Sequence, residues 1–313
     1  MKQTTLPGVT DQLFLTDAGF ETSMLFLKGF ELPHFSASPL LRTTEGRAAM
    51  TEYFVPFIEL AHEQNAGYVL DTNTWRASPD WGSLLGYDMD DLVNINVEAV
   101  EFAKNLRSQY SREQNVLING VVGPRGDGYD PGSVMSAVEA KDYHAFQVNV
   151  FARCNVDMIS ALTITNTPEA IGIANAAAEA NIPCVVSFTL ETDGSLPTGQ
   201  SLADAIAEVD NNTSSKPLYF MINCAHPDHF RSVVKAGGDW VERIRGLRAN
   251  ASRMSHAELD CSEVLDDGNP QELGQQYAEL RQNLPNLSVF GGCCGTDHRH
   301  VTHICHALNS MPN

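Results

Sequence analysis

Cys293 and Cys294 stand side by side directly after a Gly–Gly pair, and Cys224 directly follows the apolar run LYFMIN. Three thiolates around an otherwise open position describe a soft-ligand zinc centre whose fourth place is left for substrate. A lone cysteine is more often a small buried hydrophobe, and an adjacent pair can also close into a strained ring. An adjacent pair together with a third cysteine at another strand terminus favours the metal reading. Glycines 291 and 292 would let the backbone bend tightly enough for both neighbouring thiols to approach one point. A free thiol, with a pKa of about 8.5, is mostly protonated at neutral pH and a poor nucleophile. Binding to zinc removes that proton outright.

For the three cysteines to meet, strands must carry them to one face. Apolar runs of strand length fall at residues 13–17, 68–71, 116–121, 158–162, 184–188, 218–223, 246–249 and 288–290. Helix-patterned stretches lie between them at 47–64, 90–106, 140–154, 168–180, 201–209, 228–235 and 270–283, and a last one at 298–308 follows the eighth strand. Eight strand-then-helix units without a long linker predict one α/β domain over residues 1–313, a single (β/α)8 TIM barrel. A doubly wound sheet is the alternative, but no G-x-G-x-x-G follows the first strand. Cys224 then ends the sixth strand and the Cys293–Cys294 pair ends the eighth, on the face where barrels place their chemistry. The Gly- and Pro-rich segment 121–138 is a long loop on the same face.

Composition narrows the class. Twenty basic against 39 acidic residues give a net charge of −19, which argues against binding to nucleic acid or to anionic membranes. No segment approaches the roughly 20 apolar residues of a membrane span. The N-terminus shows no apolar stretch behind its lysine, so no secretory signal is expected and the cytoplasm is the expected location. Seven cysteines are an odd number, which disfavours a disulfide framework. Nothing in the sequence specifies an oligomeric state.

The sequence resembles the homocysteine S-methyltransferase family of zinc enzymes. The segments that carry the likeness are TDAGFET at 16–22, DTNTWRAS at 71–78, VVSFTLETDG at 185–194, INCAHP at 222–227, RANAS at 249–253 and FGGCCGTDHRH at 290–300. They follow the family's order along nearly the whole chain, and GGCCGT paired with the strand-end NC is the most specific of them. The resemblance implies Cys224, Cys293 and Cys294 as zinc ligands and as the catalytic centre, with a small-molecule thiol and a methyl donor as partners. The substrate thiolate would attack the methyl of a sulfonium or ammonium donor in line, and the protein's contribution would be to align the two.

Substrate contacts follow from the same likeness. In the family the DAGFET loop contacts the amino-acid part of the thiol substrate, so Asp17 is the expected partner of a substrate ammonium, with a turn cap as the alternative. Glu21 adds negative charge to that pocket or is simply solvated. Asn73 and Trp75 follow the second strand, and Trp75 could stack on a sulfonium or pack beneath a loop. Arg76 stands where the betaine-dependent members carry a catalytic tyrosine, which argues against betaine as donor. Many members place a glutamate for the homocysteine amino group in the fourth strand, whereas this chain has Leu162. Thr163 could supply a hydroxyl there, and Glu191, after the fifth strand, could replace the missing carboxylate. Asn250, ending the seventh strand, would bind a substrate carboxylate or orient a ligand. His298, His300, His303 and His306 suit helix packing better than a second metal site.

The expected activity is zinc-dependent methyl transfer from S-methylmethionine or S-adenosylmethionine to homocysteine, forming methionine. The chain has no room for separate folate- and cobalamin-binding domains, so transfer within one barrel is the economical mechanism. The rivals are a methyltransferase of the same family acting on another thiol or methylated osmolyte, and a non-catalytic zinc- or thiol-binding protein.

Overall fold

The computed structural model describes residues 5–10, 12–110 and 115–311. Eight strands, β1 (Phe14–Leu15), β2 (Gly67–Asp71), β3 (Val116–Val122), β4 (Met158–Ile164), β5 (Cys184–Phe188), β6 (Phe220–Asn223), β7 (Ile244–Ala249) and β8 (Val289–Gly292), pair in sequence order. All pairings are parallel, and β1 pairs with β8 to close the barrel. Their Val-, Ile- and Leu-rich composition fits strands buried on both faces, as a parallel sheet wrapped by helices requires. The single (β/α)8 TIM barrel expected from the alternation is the observed fold.

The outer layer consists of α1 (Thr44–Glu63), α2 (Met89–Tyr110), α3 (Ala137–Arg153), α4 (Thr167–Glu179), α5 (Leu202–Asn212), α6 (Pro227–Ala236), α7 (Pro270–Arg281) and α8 (His298–Asn309). Side-chain caps set several starts. Ser136 and Glu139 form a capping box at α3, and Asn166, Ser201 and Asn269 cap α4, α5 and α7. Inside the barrel, Phe14, Val69, Leu117, Val121, Met158, Leu162, Val185, Tyr219, Met221 and Val289 form a closed apolar cluster. The barrel interior is therefore packed, and ligands must be met at the carboxyl ends of the strands.

Three differences from the sequence reading bear on the site. Strand β4 continues past residue 162 to Ile164, with a register shift against β5 between Ala161 and Ile164. Strand β8 continues through the glycines, which keep negative φ. Their need is close approach rather than a tight bend: a Cβ on Gly291 would overlap Thr16 Oγ1, and one on Gly292 would overlap Thr296 Oγ1. Finally, short helical turns such as Pro33–Phe35, Ser38–Arg42, Pro79–Leu84 and His256–Asp260 occupy segments without a legible helical period.

Candidate active site

Strand β7 lies between β6 and β8 and serves as the spine of the sulfur site. Cys224 N–H donates to Arg248 O (3.2 Å), Cys293 N–H donates to Ala249 O (2.9 Å), and Ala251 N–H donates to Cys294 O (3.0 Å). Residues 69 positions apart thus meet because each is clipped to the same intervening strand. Cys224 itself has φ 53°, a left-handed conformation uncommon in non-glycine residues. So has Thr163 in β4, with φ 62°, where a β-branched side chain makes that conformation costly.

Asn223 holds both strained ends in place. Its Oδ1 accepts from Thr163 N–H (2.9 Å) and from the Ser187 hydroxyl (2.6 Å). Its Nδ2 donates to Thr163 Oγ1 (2.7 Å) and reaches Cys293 Sγ at 3.9 Å. One buried amide therefore ties β4, β5 and β6 to a sulfur of the site.

The three Sγ atoms lie within 4.8 Å of one another. Cys224 and Cys293 are joined as a disulfide, and Cys294 Sγ is 4.0 Å from Cys224 Sγ. The donor set suits zinc once that pair is reduced. A tetrahedral ion with Zn–S bonds of about 2.3 Å sets its sulfurs about 3.8 Å apart, close to the Cys224–Cys294 spacing. Without an ion, burial pushes the Cys294 thiol up to about 11. Among the described residues no other group of His, Cys, Asp and Glu comes together in this way. Of the remaining cysteines, Cys184 and Cys305 are buried, Cys154 is half-buried and Cys261 is exposed.

The sulfurs border a cavity of about 380 Å³. Arg248, also in the lining, is only 7% exposed and bridges two carboxylates. Nη2 donates to Asp17 Oδ1 (2.5 Å), Nη1 donates to Asp71 Oδ2, and Nε donates to Gly292 O (3.2 Å). The Tyr53 hydroxyl donates to Asp17 Oδ2 (3.3 Å), and Asn119 Nδ2 donates to Asp71 Oδ1 (2.7 Å). Burial raises the Asp17 carboxyl to about 7; Arg248 pulls it down, while Asp71 and Glu21 push it further up. Glu21 is also raised, first by burial, and is half-buried on the cavity wall.

Asp17, Glu21, Asn73, Trp75, Thr163, Cys224, Cys293 and Cys294 all line this cavity, as does Leu162. Asp17 lies there with each carboxylate oxygen already engaged. The Trp75 indole N–H donates to Leu162 O (3.1 Å), and the cation over its ring is the Arg76 guanidinium, 4.8 Å from the centroid. Arg76 also stacks on Trp81 and pairs with Asp127 (3.1 Å). Two expected residues are not in the lining. Glu191 lies against His256 Nδ1 (3.1 Å). Asn250 donates its backbone N–H to Ala225 O (3.2 Å), and its buried Oδ1 has no partner among the described residues. His298 and His300 bind backbone carbonyls of Pro56 and Asp267.

Arg248, Asp71 and Tyr129 were not singled out from the sequence. Tyr129 comes from the loop between β3 and α3, lines the cavity, and brings its hydroxyl to 3.7 Å from Cys294 Sγ. The available signal was its place in the one long Gly- and Pro-rich loop of the active face. Asp71 could have been flagged as a charge ending an otherwise apolar strand.

A parallel barrel thus gathers three thiols at the strand ends beside an acid-lined cavity, a donor set that could hold a soft metal ion. The homocysteine S-methyltransferase family profile matches residues 15–308. Homocysteine S-methyltransferase 2 of Arabidopsis thaliana is 21% identical, over 78% of this chain and 79% of its own. Selenocysteine Se-methyltransferase of Brassica oleracea var. italica is 23% identical, over 78% and 76%. Against Homocysteine S-methyltransferase 3 of A. thaliana, 24% identical, the match spans 58% of this chain and about half (52%) of that protein. The crystal structure of the homocysteine methyltransferase MmuM from Escherichia coli, oxidised form, aligns with TM-score 0.72 and 19% identity over 95% of this chain and 96% of that one. Its metallated form aligns with TM-score 0.69 and 20% identity over 96% of each. The chain belongs to the homocysteine S-methyltransferase family.

Proposed function

We propose that this protein transfers a methyl group from a small sulfonium donor, S-methylmethionine or S-adenosylmethionine, to the thiol of homocysteine, forming methionine, with zinc held by Cys224, Cys293 and Cys294. The observation that carries the reading is the meeting of three cysteine sulfurs at the wall of a cavity large enough for small substrates. When bound, the ion supplies the Lewis acidity that takes the proton from the substrate thiol and holds the thiolate. The chain's residues do the rest. Asn223 and the β7 backbone fix the cysteines, and the packed barrel beneath keeps water from the floor.

A cationic donor is supported by the lining, which carries six carboxylates (Asp17, Glu21, Asp71, Asp127, Asp260 and Asp266) against two guanidiniums (Arg76 and Arg248). That excess of negative charge favours a sulfonium over an anionic donor. Thiolate ligands require a reducing compartment such as the cytoplasm, and the acidic surface disfavours a nucleic-acid partner. Residues 1–313 act as one barrel domain on this reading. Among the described residues no helix is long and apolar enough to cross a membrane.

The test joins metal analysis to a substrate panel. Reduced protein should hold about one zinc per chain, lose turnover when a chelator strips it, and regain it on adding zinc back. Homocysteine should be methylated with sulfonium donors and not with betaine. Fully active metal-free protein would sink the zinc assignment. A second reading, a different acceptor thiol, rests on Leu162, because an apolar side chain there cannot pair with a substrate ammonium. Equal kcat/KM for homocysteine and for the thiol lacking its α-amino group would favour that reading.

A further inference from the structure

Two segments meet beside the cysteines through one pair of rings. Tyr129, from the loop between β3 and α3, stacks on His256, from the loop between β7 and α7, with centroids 4.0 Å apart and planes 10° from parallel. Each ring reaches a different cysteine. The Tyr129 hydroxyl lies 3.7 Å from Cys294 Sγ, and His256 Nε2 lies 2.8 Å from the Cys224 carbonyl. A carbonyl only accepts, so Nε2 carries the hydrogen. On its other edge Nδ1 faces Glu191 Oε1 at 3.1 Å. Glu191 thus neighbours that ring from outside the cavity.

The geometry points to Tyr129 as a positioning residue for the metal site, its hydroxyl donating to the Cys294 sulfur and its ring held in place by His256, which Glu191 neighbours. This rests on the metal reading above. A metal-bound thiolate has no proton to give, so in the loaded site the phenol O–H is the donor in this contact. Such a bond draws electron density from the sulfur and leaves the ion more acidic toward the incoming substrate thiol. It also ties the loop carrying Tyr129, and through the ring stack the segment carrying His256, to the ligand set.

Tyr129→Phe removes the hydroxyl and keeps the stacking ring, which separates the hydrogen bond from packing. Reduced wild-type and variant protein are loaded with Co(II) in place of zinc, and the thiolate-to-cobalt absorption band is recorded beside acceptor KM and kcat. In the variant the band moves to longer wavelength, because a sulfur without its hydrogen bond is the stronger electron donor. Cobalt content and thermal midpoint stay at wild-type values. The acceptor-thiol KM rises about two- to tenfold, the range of one hydrogen bond, with kcat nearly unchanged. Glu191→Ala, which removes the neighbour of His256 Nδ1 from outside the cavity, shifts the band the same way by less. Full cobalt uptake with an unmoved band and unchanged KM in both variants overturns the role of Tyr129. Wild-type protein that takes up no cobalt overturns the metal reading itself.

Discussion

Around one cavity, the sulfur group and the carboxylate group handle reactive side chains in opposite ways. Cys224, Cys293 and Cys294 are fixed through their backbones to β7 and the residues just after it, while their sulfurs have only weak contacts, at 3.7–4.0 Å, with Tyr129, Asn223, Thr163 and one another, apart from the Cys224–Cys293 disulfide. Asp17, Asp71 and Arg248 are instead fixed through their side chains, with every carboxylate oxygen and three guanidinium N–H groups engaged. Rigid backbone with open side-chain valence suits a site that must take up a ligand. A closed polar network suits a floor that must not move.

The largest expected effect breaks the sulfur side. Cys224→Ala, Cys293→Ala or Cys294→Ala should each lower methyl transfer by more than the roughly hundredfold that loss of a supporting partner costs. The fold should remain, since these residues sit at the strand ends. Turnover assays beside circular dichroism check this, and near-wild-type turnover in one variant would remove that residue from the ligand set.

Breaking the floor should instead strike stability. Arg248→Met leaves Asp17 and Asp71 buried without their cation, at a cost of about 3–5 kcal/mol, read by denaturant unfolding. If the variant unfolds at the wild-type midpoint, the network carries none of the stability argued for it.

The pH dependence sharpens the same contrast. The Asp17 carboxyl rises from 3.8 to about 7 in the fold, so the folded state holds this proton more tightly than the unfolded one. Its contribution is fully present below pH 4 and is lost as pH climbs through 7. Asp17→Asn should flatten the stability profile between those limits. A profile with the slope unchanged would mean that Asp17 is ionised throughout.

Leu162 lines the same cavity. Leu162→Glu should lower KM for homocysteine by about tenfold, as expected for a hydrogen bond to a charged group, and leave the amine-free thiol unaffected. An equal change for both thiols would show that the new carboxylate does not meet the ammonium. The smallest effect belongs to Ser187→Ala, which removes one donor to Asn223. It should cost about 1 kcal/mol of stability, with turnover within a few-fold of wild type.

Much of this architecture was written in the sequence. The strand and helix alternation predicted the closed barrel, because period and apolar run length are local properties of the chain. Cysteines placed just after strands 6 and 8 were legible as residues of the active face for the same reason. Leu162 was legible as a departure from the family pattern. Other features needed the closed barrel. Only closure sets β7 between β6 and β8 and brings Arg248 to Asp71, 177 residues away, and to Asp17, 231 residues away. Only side-chain direction shows that Glu191 serves His256, that Arg76 covers Trp75, and that Tyr129 reaches back from its loop to a sulfur. Only contact shows that Gly291 and Gly292 are demanded by Thr16 and Thr296 rather than by a turn. Local pattern fixes which elements form and which end of each carries chemistry. Which side chains meet depends on neighbours distant in sequence, and those are set when the strands register and the ring closes.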